Sequence, residues 1–187
     1  MNIVVRTYSG RYIVRPDTTW ERDNEDLYLP DQVKSLSFTP VLFARVSKPG
    51  RSVGEKFAER YYDGIGFGVL LYPENFIDGS EEGFACASCL DHSSFLPFPV
   101  SDKETLGAKD VFSLSADGVK LFEGNGCDRQ TICRAIAEAT RFIYIRTGDV
   151  IAIELASRTE LQTQGKNALE ICGSHNGQQK IVFKIFL

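Results

Sequence analysis

The sequence predicts an α+β protein, mainly β, folded as a single domain over 1–187 with one main helix at about 128–145. Three observations carry that prediction. Short apolar runs and alternations separated by Gly, Pro, Asn and Asp recur along most of the chain, which is strand patterning. Only the stretch after Asp128 spaces its apolar residues helically, at Ile132, Ala135, Ile136, Ala139, Phe142 and Ile143. A chain of 187 residues, 43% hydrophobic and without internal repeats, has material for one core and no call for a second.

In order, Asn2 to Tyr8 alternates and opens as a strand, Ser9-Gly10 turns it, and Arg11 to Val14 pairs back. Arg15 to Asp26 is polar and irregular and holds the single tryptophan, Trp20; it reads as a loop in which Asp17 caps a turn and Trp20 anchors the segment to the core. Phe38 to Val46 is a strand, Lys48 to Ser52 a turn, and Glu55 to Tyr62 a loop or short helix. Gly64 to Tyr72 is a strand with Ile65, Phe67, Val69 and Leu71 on one face and Gly64, Gly66 and Gly68 on the other. Such a glycine face leaves room for another backbone, a side chain or a ligand. Tyr72 to Glu82 reads as a hairpin connection and Gly83 to Leu90 as the next strand.

Val111–Leu114 and Val119–Phe122 flank Ser-Ala-Asp-Gly, a hairpin signal because Asp-Gly tolerates positive φ. Asp128 then caps the helix, Thr147-Gly148-Asp149 ends it, and Val150–Ile153 suits a buried strand. Ala168–Cys172 and Lys180–Leu187 form a closing hairpin around Gly173 to Gly177, with His175 expected as a solvated loop residue.

Three stretches together resemble the fumarylacetoacetate hydrolase superfamily. "VFSLSADGVKLFEGN", a helix and then "TGDVIAI" follow the order of its C-terminal half; Pro40 to Arg45 is similar to its P-V-F-F-x-K-P strand; Asp91 to Pro99 is similar to its K-S-F-D-T-F-x-P segment, with Phe95 and Pro97 in place. The resemblance implies a mixed β-sheet roll or sandwich, a homodimer, and hydrolase, lyase or isomerase chemistry on 1,3-dicarbonyl or 2-oxo acid substrates, with Mg²⁺ or Mn²⁺ polarising the reacting oxygens. It also implies a Glu-x-Glu pair where this chain has Gly64 and Gly66. The N-D-x-x-x-R-D segment that would supply a further aspartate is largely absent, and the T-G-T-P loop becomes Ile153-Glu154-Leu155-Ala156. The early loop lacks the family's histidine, although Arg15, Asp17, Trp20 and Glu21 lie at a corresponding place.

Hard cations require several oxygen ligands. The expectation is therefore a divergent member with no metal ligands and no cofactor, binding a small oxo-acid-like anion. The alternative is an active metal-dependent hydrolase, lyase or isomerase whose Mg²⁺ or Mn²⁺ ligands lie elsewhere. Arg45, at the family's lysine, is the candidate anion contact, trading a point charge for a fork. Gly64 and Gly66 are candidate substrate-binding positions. Asp63, which a bulge would bring round to the glycine face, and His92 are the candidate catalytic groups.

A formal net charge of −4 with scattered Lys and Arg argues against nucleic acid or an anionic membrane as partner. No apolar run approaches the ~20 residues of a membrane span, and the N-terminal residues lack signal-peptide form, so a cytoplasmic location is expected. Five cysteines suit reduced thiols. Cys86-Ala87-Ser88-Cys89 has the spacing of zinc or redox sites, but Cys127 and Cys133 would make a poorly spaced second zinc pair, and a redox pair belongs at a helix start. Core or half-buried thiols are the plainer expectation.

Overall fold

The computed structural model describes residues 1–107, 109–125, 128–163 and 165–187. Its strands are β1 (Asn2–Arg6), β2 (Tyr12–Pro16), β3 (Trp20–Glu21), β4 (Leu27–Tyr28), β5 (Leu36–Val46), β6 (Tyr62–Pro73), β7 (Ser94–Phe95), β8 (Ser101–Asp102), β9 (Val111–Ala116), β10 (Val119–Asn125), β11 (Val150–Glu154), β12 (Thr159–Glu160), β13 (Ala168–His175) and β14 (Gln178–Phe186). Two α-helices are described, α1 (Glu81–Ala87) and α2 (Arg129–Ala139). The larger, mixed sheet runs β2-β1-β11-β5-β6-β7-β3, with β12 on β5 and β8 on β6. The smaller runs β10-β9-β13-β14-β4.

Alternation explains how the sheets meet. Ile65, Phe67, Val69 and Leu71 of β6 join the core shared with the smaller sheet, where Phe67 stacks on Phe112 with ring centres 5.0 Å apart. The buried stripe of α2, Ile132, Ala135, Ile136 and Ala139, seals the same core. The opposite face of the larger sheet is apolar too, and Ile3, Val41, Phe43, Leu70, Tyr72 and Val150 are capped there by Trp20, Leu96 and Ala87.

Most expected elements form, with informative departures. The main helix spans Arg129–Ala139 rather than 128–145: Asp128 caps it through Thr131 N at 2.8 Å, but it stops at Thr140, and Phe142 turns out to solvent. Gly148 does adopt a left-handed φ of +92°, as a turn into β11 and not a helix terminus. Gly83 to Leu90 is not a strand. Ser80 Oγ accepts from Gly83 N, Glu81 and Glu82 occupy the first turn, and small residues without β-branching continue as α1. Asp91-His92 is accordingly a turn, with His92 at φ +54°. At the end of the chain, Asn176-Gly177 alone makes the hairpin turn, so β13 extends to His175.

Candidate functional site

β5 and β6 pair antiparallel, placing Arg45 opposite Gly64, Phe43 opposite Gly66 and Val41 opposite Gly68. Directly opposed residues share a face, so these three side chains overlook the glycine stripe. Between Arg45 and Val46 the register slips by one, leaving Asp63 as the extra residue of a bulge. The bulge swings its carboxylate round, and Arg45 Nε donates to Asp63 Oδ1 at 2.8 Å. Two residues singled out in the sequence are thus each other's partner, in a solvent-exposed pair.

The stripe itself is not open. A Cβ on Gly64 would lie 3.1 Å from Val100 Cβ, one on Gly66 would lie 2.7 Å from Phe43 Cε1, and one on Gly68 would lie 2.6 Å from Leu96 Cδ2. Close approach of neighbours is what the glycines serve. Phe98 completes the cover: its ring centre is 5.2 Å from that of Trp20, edge to face, and 6.4 Å from that of Phe43. Trp20 Nε1 donates to Leu96 O at 3.0 Å, fixing this aromatic plug.

These residues do not fit Mg²⁺ or Mn²⁺. Such an ion needs a near-octahedral shell of oxygen ligands, whereas the plug offers carbon, Asp63 already serves Arg45, and Asp102, opposite Gly64 on β8, already accepts from Glu104 N at 2.8 Å. Among the described residues no group of three or more His, Cys, Asp or Glu side chains is placed to hold a metal ion. Cys127 lies outside the described residues.

His92 stands apart from Asp63. Its Nδ1 lies 3.0 Å from Glu21 Oε2, a pairing that arises because β3 runs parallel beside β7. Glu21 is buried, yet backbone donors from Asp23 and Glu25 and the His92 ring outweigh that burial and hold its carboxyl below the usual range. Arg15, expected in a loop, lies within β2 and is fully buried; it donates to Ser88 O at 3.1 Å, Leu71 O at 3.0 Å and Ser93 Oγ at 2.6 Å, and lies over the Tyr72 ring. Its burial lowers the guanidinium pKa.

His175 is not a solvated loop residue. It packs against Phe67 with ring centres 4.5 Å apart, and its Nε2 lies 3.1 Å from Asp110 Oδ2, off the ideal hydrogen-bond direction. Asp110 also accepts from Asn176 Nδ2 and Gly107 N, both at 3.1 Å; against the upward push of burial, these donors and the imidazole keep its carboxyl low. The sequence did carry a signal for this. A two-residue Asn-Gly turn puts the preceding residue in a strand.

His175 opens onto a cavity of about 200 Å³ at the edge of the larger sheet, between the separate β6 contacts of β7 and β8. Gly66, Phe98 and Ser101 line one side, and His175, Gln179 and Lys180 the other. Gly66 therefore borders the cavity, whereas Gly64 is covered by Val100. A larger groove of about 640 Å³ runs along α2; of its two cations, Arg129 is shared by Glu59 at 3.1 Å and Glu104 at 2.6 Å, and Lys56 lies over the Phe57 ring.

No family model matches the sequence, and no curated protein does. Solved structures supply the comparison. A protein from Yersinia pestis CO92 assigned to the fumarylacetoacetate hydrolase family superposes with a TM-score of 0.81 at 17% identity, over 99% of this chain and 92% of that one. Fumarylpyruvate hydrolase from Pseudomonas aeruginosa, solved with Mn²⁺ and pyruvate, gives 0.81 at 15% identity over 100% and 88%. A 2-hydroxyhepta-2,4-diene-1,7-dioate isomerase from Mycobacterium marinum gives 0.81 at 14% over 99% and 74%. The fold of this chain is that of fumarylacetoacetate hydrolase family proteins.

Proposed function

We propose that this protein keeps that fold as a receptor for a small organic anion of the oxo-acid type, without divalent-metal chemistry. The observation that carries the reading is the plug of Phe43, Phe98, Val100 and Leu96 packed onto Gly64, Gly66 and Gly68, the first two of which hold the positions where the family resemblance implies carboxylate ligands. The ligand site is the cavity bordered by Gly66. Lys180 supplies a cation, His175, Ser101 and Gln179 polar contacts, and Phe98 an apolar wall. Its volume takes on the order of seven water-sized groups, the scale of a short carboxylic acid and below that of ordinary drug-sized pockets. Arg45, half-exposed beside Phe98, lies outside the cavity with its charge paired to Asp63. The protein acts as a homodimer, as the family resemblance implies, with no nucleic-acid partner.

Trp20 touches Phe98, so its fluorescence reports on occupancy. Titration with pyruvate, oxaloacetate and a 1,3-dicarbonyl acid should quench or shift the emission equally in EDTA and in millimolar Mn²⁺. Substitution His175→Gln together with Lys180→Gln should weaken that response about tenfold or more, since charge-assisted hydrogen bonds to a ligand contribute about 1.5–3 kcal/mol each. Binding or turnover that appears only with Mn²⁺ would support instead the metal-dependent enzyme.

A further inference from the structure

We propose that Cys86 and Cys89 form a reversible dithiol–disulfide site at the C-terminal end of α1, in exchange with a small-molecule disulfide such as oxidised glutathione. The helix brings them together. Cys86 lies in the last turn of α1, Ser88 follows with αR angles, and Cys89 N donates to Cys86 O at 3.0 Å. That bond makes them the first and last residues of a single turn, whose Cα atoms lie within about 7 Å, and a disulfide spans roughly 4.4–6.8 Å between Cα atoms. Positions i and i+3 of a helical turn also share a face. Cys89 Sγ donates back to Ala85 O at 3.2 Å, folding the thiol over the turn that carries Cys86.

The turn is held from below. Ser88 Oγ donates to Phe84 O at 2.8 Å, and the buried Arg15 donates through Nε to Ser88 O, between the two cysteines. The protein partners of this guanidinium are carbonyl and hydroxyl oxygens, its Nη1 has no partner among the described residues, and Cys89 is close enough to couple to its charge. A sulfur anion formed at Cys89 during exchange therefore lies within reach of a guanidinium whose charge it shares with Glu154. Selectivity follows from exposure. Cys86 and Cys89 are exposed, whereas Cys133 and Cys172 are half-buried and burial pushes their thiols up.

The exchange balances. One cysteine, as its thiolate, attacks a glutathione sulfur, breaking the glutathione S–S bond and releasing one glutathione; the other attacks the mixed disulfide, forming the Cys86–Cys89 bond and releasing the second. Each leaving glutathione thiolate takes up the proton its attacker gave. The protein loses two protons and two electrons, and the glutathione disulfide gains them.

Trypsin isolates both cysteines, and no others, in the peptide from Tyr61 to Lys103. After the folded protein equilibrates in a glutathione redox buffer and is acid-quenched, that peptide should be lighter by two hydrogens, carry no glutathione, and revert with dithiothreitol. In Cys86→Ser or Cys89→Ser the remaining thiol should carry a glutathione adduct. The isolated Tyr61–Lys103 peptide should close about tenfold less favourably, equivalent to about 30 mV. Two glutathione adducts on the wild-type peptide, an unreacted pair while Cys133 or Cys172 is modified, or equal closure in folded protein and peptide would each overturn the proposal.

Discussion

Gly66→Ala adds a single methyl group, yet it should be costly. The new Cβ would meet the Phe43 ring, 2.7 Å from Cε1 and 3.1 Å from Cε2, and that ring is fully buried against Phe98 and the β5–β6 ladder. Overpacking of this kind costs about 1–3 kcal/mol, and for a chain of this size each kcal/mol moves the melting temperature by roughly 2–4 °C. A fall of about 2–12 °C is expected by calorimetry or far-ultraviolet circular dichroism. Pairing supplies the control. Phe43→Leu alone is destabilising because a buried ring is lost, but adding Gly66→Ala to that background should cost less than adding it to the wild type, a coupling of about 0.5 kcal/mol or more. A Gly66→Ala protein as stable as the wild type, or strict additivity of the two changes, would refute the claim that Phe43 occupies the glycine stripe.

Further outcomes follow from other contacts. Asp128→Ala removes the cap on Thr131 N and should lower stability by about 0.5–2 kcal/mol in urea unfolding. Asp110 has its carboxyl pKa lowered in the folded state, so its contribution is fully present above about pH 4, the unfolded carboxylate value, and is lost as pH falls through the folded value; Asp110→Asn should flatten the acid side of the stability curve measured by urea midpoints. The Arg45–Asp63 pair is exposed, so Arg45→Met should cost less than about 1 kcal/mol, and the difference from wild type should shrink at 1 M salt. Sedimentation velocity at micromolar concentration should show twice the mass of one chain.

Where local chemistry agrees with tertiary packing, the sequence is transparent. Asp117-Gly118 turns β9 into β10, Asp128 caps α2, and the alternation of β6 assigns Phe67 to the core and the glycines to the opposite face. The possibility that a bulge would carry Asp63 round is met by the slip at Arg45. Failures occur where short-range cues compete. Gly83 to Leu90 lacks both a helical stripe and β-branched residues, and the deciding signals are Ser80 and the two glutamates ahead of it. Helical spacing ran on through Phe142, but Thr140 ends α2 and the chain turns back to pair Ile145 with Gly50. The glycine stripe was read as room, and only the packed structure shows Phe43, Val100 and Leu96 filling it. The pairings of His92 with Glu21 and of His175 with Asp110 join residues 71 and 65 positions apart, distances at which spacing carries no information.

The central claim is that the aromatic plug has replaced a hard-cation site, and manganese tests it most directly. Free Mn²⁺ gives a six-line electron paramagnetic resonance signal that collapses when the ion is immobilised by protein ligands. With stoichiometric protein the signal of free Mn²⁺ should persist undiminished, with and without pyruvate. Loss of one equivalent of free signal at micromolar concentration would show that the chain assembles an oxygen cage after all.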